Sequence, residues 1–406
     1  MRSPWLGLIL TVLLVAGRTQ AAVREEFVPP AATDPAIDAW LEPHLAAFDP
    51  TLSHRGQLYV HFPGTADVPD NSELICDEAA ALGYHVISLR YPNEPSVDTL
   101  ASESTDPNVH EEVRRERLYG EDDSPLVNVT PANSVENRLV KLLEYLAAEH
   151  PGEGWDQFLD QGEPVWSRMA LGGHSQGSGQ AALLAKDHVV DRVLMFAGPA
   201  DQIGGVSAAP WVSQPGATPL GRFFEFDHER DFLGANIKLD LAALGFDQRW
   251  SPVNVDDAVL TAGQHWLTTD YPVGTGTGAG LKAHNLVVVD GQTPRDEFGA
   301  PLFDNVWQHM LTSPVTLDGD ANDDGAVDLS DFGLIKTNFG LPATWATGDF
   351  DGNGTVDLSD FGVLKSGFGQ QGAASVPEPG TWVLLGLGVV FLAARERRWR
   401  SARARG

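Results

Sequence analysis

The five residues Gly173-His174-Ser175-Gln176-Gly177 stand between a short apolar run, Arg168-Met169-Ala170-Leu171, and a helix-forming stretch at 178–186 (SGQAALLAK). No other feature limits the fold as much, because a strand that enters a helix through G-x-S-x-G must turn sharply at the serine. The flanking glycines let backbone approach backbone at the bend, and the bend lifts the serine Oγ clear of the sheet. The N-terminus of the following helix then favours negative charge that develops beside it. With 42 glycines among 406 residues, composition alone yields roughly 0.2 chance matches. The strand and helix on either side are what give the motif weight.

The surrounding pattern agrees. From about 22 to 313, short apolar runs alternate with amphipathic helices, as in a mainly parallel sheet with helices on both faces. Residues 58–62 (LYVHF) and 85–89 (HVISL) read as strands. The helix between them is capped by Asn71 or Ser72 and ended by Gly83. A second helix is expected over 133–149, with Asn133 and Glu136 as its capping box and Val135, Leu139, Leu142 and Leu146 as its apolar stripe. Residues 167–171 and 192–197 supply two more strands. The charged, Pro- and Asn-rich segment 90–131 is expected to form a cap or rim. Trp211, Trp250 and Trp266 are expected to pack in the core rather than line a pocket. Cys76 is the lone cysteine, so no intramolecular disulfide forms, and its helical setting predicts burial.

On the strand, the G-x-S-x-G turn and the helix, the chain resembles the α/β-hydrolase superfamily of serine hydrolases over about 50–312. The resemblance implies the chain order nucleophile, acid, histidine. Ser175 takes the first role. The acid is expected in the turn after the apolar run at 223–226, at Asp231, with Asp227 as the alternative. For the base, His284 follows the glycine-rich 274–280 segment, in a late loop of the kind the superfamily uses; His265 and His309 are the alternatives. Ser175 would attack an ester carbonyl as His284 takes its proton, with Asp231 orienting the imidazole. The oxyanion donors would be the N–H of Gln176 and that of Gly64 or Thr65. An esterase of the carboxylesterase or lipase-like kind, with no catalytic cofactor, is the implied activity. A non-catalytic scaffold and a polysaccharide-directed esterase or deacetylase are the competing readings.

After Pro314 the composition turns to Asp, Asn and Gly, and DANDDGAVDLSDFGLIKTNFG is echoed at an offset of 29 residues by DFDGNGTVDLSDFGVLKSGFG. Alternate residues of a tight loop deliver the oxygens a hard cation needs. In the first repeat these are Asp320, Asn322, Asp324, the Ala326 carbonyl, Asp328 and Asp331; in the second, Asp349, Asp351, Asn353, the Thr355 carbonyl, Asp357 and Asp360. Gly325 and Gly354 make the sharp turns, and Val327 and Val356 are expected to meet between the loops. The pair resembles the dockerin type I repeat, which implies a small all-α, EF-hand-like module over 314–370 that holds structural Ca2+ and binds a cohesin-like partner. Asp at the last ligand position, where ordinary EF-hands carry Glu, argues against a calmodulin-like sensor.

Both ends read as sorting segments. Arg2, the apolar run 5–17 and small residues up to Ala22 predict a signal peptide over 1–21. After a linker from 371, Val376-Pro377-Glu378-Pro379, an apolar stretch at 381–394 and Arg395, Arg397, Arg398 and Arg400 resemble the PEP-CTERM sorting signal. Fourteen residues make a helix of roughly 21 Å, short of the ~30 Å bilayer core. Transient membrane association, processing by an exosortase and a place at the bacterial envelope or extracellular matrix are implied. With 56 acidic against 27 basic side chains and a net charge of -29, the chain repels phosphate backbones, which excludes nucleic acid as a partner.

Overall fold

In the computed structural model, the described residues are 22–370, apart from 103, 257, 323–324 and 351–352. The expected signal peptide, the sorting tail and two expected ligands, Asp324 and Asp351, therefore lie outside the described residues. Strands β1 (Arg24–Val28) and β2 (His44–Phe48) pair antiparallel at one edge. Next comes the expected βαβ unit: β3 (Leu58–Phe62), helix α1 (Glu73–Ala81) and β4 (His85–Ser88), with β3 and β4 parallel. Helices α2 (Val97–Ala101), α3 (Val109–Tyr119) and α4 (Val135–Glu149) precede β5 (Met169–His174). Then follow α5 (Gln176–Asp187), β6 (Arg192–Phe196), β7 (Phe223–His228), α6 (Gly234–Leu244), β8 (Val253–Asn254) and β9 (Trp266–Thr269). Helices α7 (Ala279–Asn285) and α8 (Asp304–Thr312) close this part of the chain.

The strands form one sheet in the order β1-β2-β4-β3-β5-β6-β7-β9-β8. Every neighbouring pair from β4 to β8 is parallel, and β2 runs antiparallel to both its neighbours. All residues of β2 to β7 and of β9 are buried. Because alternate residues point to opposite faces, both faces are covered, as the unbroken apolar runs require. Cys76, on α1, is buried as expected.

Two helix starts differ from expectation. Ser72 occupies the N-cap of α1 without a side-chain bond, and the Glu73 N–H donates instead to the carboxylate of Asp290 at 2.8 Å. A partner distant in sequence outcompetes the local cap. The Asn133/Glu136 box does not form, because a tight turn at Pro131–Asn133 moves the start of α4 on by two residues. Ser134 becomes the cap, accepting from Asn137 N–H at 3.2 Å, and the Asn133 side chain bonds Asp38 and Arg138. The expected stripe of α4 is buried.

The repeat forms two helices, α9 (Leu329–Asn338) and α10 (Leu358–Gly367), each opened by a capping box, Asp328 with Asp331 and Asp357 with Asp360. Gly325 and Gly354 take φ of 84° and 86°, the left-handed turn that favours glycine. Val327 and Val356 share one small core with Leu317, Ile335, Phe350 and Leu364. Their backbones do not pair with each other, however. Val327 N–H donates to Gln370 O, and Val356 O accepts from Gly340 N–H. Each loop is thus tied to the segment that leaves the other repeat's helix. Arg249, on the main body, stacks over the Trp345 ring at 3.4 Å from its centroid.

Candidate functional site

The bend after β5 has the shape the motif demands. Ser175 sits at φ 54°, ψ -117°, a conformation that costs a non-glycine residue about 1–3 kcal/mol and persists only where its surroundings impose it. The glycines explain how. A Cβ on Gly173 would lie 2.3 Å from the Gly177 carbonyl carbon, and one on Gly177 would lie 1.9 Å from Phe62 O. Only glycine at both places lets α5 start directly at the end of the sheet. The helix begins at Gln176, two residues earlier than its composition suggests. Ser175 is half-buried and lines a cavity of about 740 Å³.

His284 lines the same cavity, and its Nδ1 lies 2.7 Å from Asp231 Oδ2. Asp231 follows β7 as expected, and its other oxygen accepts from Leu233 N–H at 2.7 Å. His284 is carried by α7 rather than by the expected loop, since glycine-rich 274–278 ends early enough for Ala279–Asn285 to wind into a helix. Its ring packs edge-on against Phe232 at 5.0 Å and is tilted against His174 at 4.8 Å. Ser175 and His284 thus line one cavity, and Asp231 bonds the His284 ring.

Gln176, Gly64 and Thr65 also line the cavity. Gln176 N–H belongs to the first turn of α5, where backbone donors have no intrahelical acceptor. In the loop after β3, the N–H groups of Ala66 and Asp67 are committed to Asn93 O and Gly64 O. Gly64 packs so closely on His174 that a Cβ there would lie 2.8 Å from the ring Nδ1.

The C-terminal tail carries a sorting signal. Residues 375–398 match the PEP-CTERM protein-sorting motif. The search of curated proteins found no match. Among solved structures, the chain is similar to a protein from Klebsiella pneumoniae subsp. pneumoniae designated a dienelactone hydrolase. The two are 12% identical over 71% of this chain and 97% of that one, with a TM-score of 0.37. Among the described residues, no helix is long and apolar enough to cross a membrane; the stretch 381–394 lies outside them.

The alternative site residues lie elsewhere. His265 is fully buried between Phe224 and Trp250, with ring centroids 4.1 and 4.3 Å away, and its Nδ1 bonds Phe223 O. Burial pushes its pKa down to about 3, so it is a neutral core residue. His309, on α8, bonds Gln264 O and Ser313. Asp227 is buried within β7, where loss of solvent raises its pKa to about 7, and His284 bonds Asp231 instead. Trp211, Trp250 and Trp266 are core residues, and none lines the cavity.

Several residues around the cavity carry no sequence signal. His174, the residue before Ser175, is buried, and burial holds its pKa well below the usual histidine range. Its Nε2–H donates to His284 O at 3.1 Å, which ties down the backbone that carries the His284 ring. From the segment 90–131, Val97, Asp98 and Arg114 form one wall of the cavity, so this segment is a rim. Asp98, His110 and Asp201 bring possible ligand atoms within 4.8 Å of one another. Arg114 already holds both Asp201 oxygens at 2.6 and 2.7 Å, and Trp211 donates to one of them. A metal cation there would meet a guanidinium, and the cluster is an ion pair rather than a metal site.

In the repeat, equivalent residues make equivalent bonds. Asp320 accepts from Gly325 N–H at 2.8 Å and Asp349 from Gly354 N–H at 2.9 Å. Asp331 accepts from Ala321 and Asp328 N–H, as Asp360 does from Phe350 and Asp357. Asp328 and Asp357 accept from Ser330 and Ser359. Asn322 and Asn353, which are not equivalent positions, donate their amides to Ser330 and Asp357 respectively. Ala326 and Thr355 follow the turn glycines in the two loops.

Proposed function

We propose that the chain is an exported serine hydrolase that cleaves an ester through an acyl-enzyme on Ser175, in the manner of a carboxylesterase or lipase-like enzyme. One observation carries the reading: the hydrogen bond between His284 and Asp231 at the edge of the cavity into which Ser175 projects from its strained bend. In the first half-reaction His284 accepts the Ser175 proton, Oγ attacks the carbonyl carbon, and the same proton passes to the departing alcohol. In the second, water attacks the acyl-enzyme with His284 again as base. Gln176 N–H and that of Thr65 or Gly64 receive the oxyanion. The polar rim formed by Asp67, Asn71, Asp98 and Gln292 favours a second reading, an esterase or deacetylase acting on hydroxyl-rich polysaccharide. Comparison of acetylated sugars with p-nitrophenyl esters of graded length separates the two.

The repeat loops fit a hard cation, because the residues at the ligand positions offer only oxygen and their turns are built alike. We assign them structural Ca2+ and assign a cohesin-like partner to the module as a whole. The sorting motif supports export, cleavage by an exosortase and residence at the envelope. The decisive test is covalent labelling by a fluorophosphonate. The wild type is expected to label and Ser175→Ala to lose both label and esterase turnover, by roughly 10⁴-fold or more. Absence of label on a folded, calcium-loaded wild type would leave only a binding scaffold.

A further inference from the structure

We propose that Arg117 is a positioning residue for the oxyanion site: it clamps Gln176, so that the Gln176 N–H is held toward the intermediate, and its charge adds to the positive end of α5. This inference rests on the reading of Ser175 as nucleophile.

The clamp is visible bond by bond. Arg114 and Arg117 share one face of α3, three residues apart, and both are buried. Arg117 Nη1 donates to Gln176 Oε1 at 2.9 Å, and Val97 N–H donates to the same oxygen at 2.8 Å. Gln176 Nε2 donates to Asn93 O at 2.8 Å, and Gln176 O accepts from Arg114 Nη1 at 2.9 Å. Gln176 is thus bonded at its side-chain amide oxygen and nitrogen and at its backbone carbonyl. Arg117 is anchored in turn through Nη2 to Pro95 O at 2.6 Å. Space for the pair comes from α5 itself, since a Cβ on Gly179 would lie 2.3 Å from the Arg114 guanidinium carbon.

Charge separates the two arginines. Arg114 is neutralised by Asp201 at 2.6 Å. Arg117 makes no salt bridge among the described residues, and its neighbour Glu116 instead accepts from Ser124 and Val129 N–H. Burial lowers the Arg117 pKa to about 10, so the guanidinium stays charged at neutral pH. A buried cation with no contact ion pair, helped only at longer range by Asp201 and Glu116, is costly unless something more offsets its desolvation. Negative charge forming at the adjacent helix N-terminus would do so, and would do so most in the transition state.

Removal of one direct oxyanion donor typically costs 10²–10³ in kcat, so a residue one bond behind it should cost less. Arg117→Met is expected to lower kcat on a p-nitrophenyl ester, and the fluorophosphonate labelling rate, by about 10- to 100-fold, with KM changed less than about threefold. Arg117→Lys, which keeps the charge, should recover part of the loss. Affinity for a boronic acid, a tetrahedral mimic, should fall in step with kcat. Wild-type labelling rates in folded Arg117→Met, a loss confined to KM, or a lysine variant no better than methionine would overturn the proposal. Should Arg117→Met fail to fold, Gln176→Met opens the same clamp while retaining the backbone N–H, and an unchanged labelling rate there is equally fatal. Failure of the wild type itself to label would remove the nucleophile reading, a result distinct from any of these.

Discussion

The cavity around Ser175 and the repeat after residue 313 are built on opposite plans. Asp231 and His284 bond across 53 residues of chain, and Ser175, which adjoins neither in sequence, shares the cavity with His284. In the repeat, the carboxylate bonds that shape each loop span ten residues or fewer. The sheet domain can afford a distributed site because burial on both faces makes its strand ends rigid. The repeat has a core of seven buried apolar residues, and a unit that small gains disproportionately from a bound ion. A distributed site should therefore be sensitive to single side chains at the chemistry and tolerant elsewhere, and a local one should be sensitive to its ligand.

The largest effect tests the distributed site. His284→Ala should lower kcat by roughly 10⁴-fold, and Asp231→Asn by a similar factor, with little change in melting temperature. His265→Ala should do the reverse: retain turnover and lose about 2–4 kcal/mol of stability, since it empties a slot between two stacked rings. Steady-state kinetics and thermal unfolding of the variants decide it. An exchange of the two histidine phenotypes would move the site away from Ser175.

The same contrast explains what could be read from the sequence. The bend at Ser175, the βαβ unit and the duplicated loops are local patterns, and each was legible because glycine spacing and hydrophobic periodicity act over a few residues. His284 is preferred over His265 from its place after a late glycine-rich stretch, and its bond to Asp231 is a contact that no periodicity encodes. The chain position of Asp231 after an apolar strand did mark it. The cap of α1 failed for a related reason: Asp290 reaches Glu73 N–H from 217 residues away, and such a partner is invisible in a window. His174, Arg114 and Arg117 were missed because a histidine beside the nucleophile and two arginines on an amphipathic helix look like ordinary variable and solvated positions. Their burial is what identifies them.

The intermediate effect tests the local site. Calcium at 100-fold over its dissociation constant should stabilise the repeat by about 2.7 kcal/mol for each occupied loop, read as a rise in its melting transition. Chelation should reverse the rise, and Asp320→Asn should weaken it. Esterase turnover of the calcium-free protein at low temperature should match that of the loaded form, because the cavity is lined by residues before 313 alone. A fall in kcat on chelation would show that the two regions are coupled, with the Arg249–Trp345 contact as the first place to look.

The smallest effect concerns how the rigid region tolerates buried charge. Asp240, on α6, is fully buried, and one of its oxygens accepts from Asp201 N–H at 2.7 Å. Burial first, and then the Asp201 charge, raise its pKa to about 9, so the folded protein holds a proton that the unfolded chain releases above about pH 4. The folded state then binds more protons than the unfolded one across that window, and stability from this group falls as pH rises from about 4 toward 9. Asparagine remains neutral throughout and can accept the same backbone bond through its amide oxygen. Asp240→Asn should therefore match the wild type near pH 4 and exceed it by about 1 kcal/mol or more at pH 8, a difference in which the contributions of all other titrating groups cancel. An advantage that does not grow with pH would mean that Asp240 is ionised in the folded protein and that Arg114, shared with Asp201, neutralises both carboxylates.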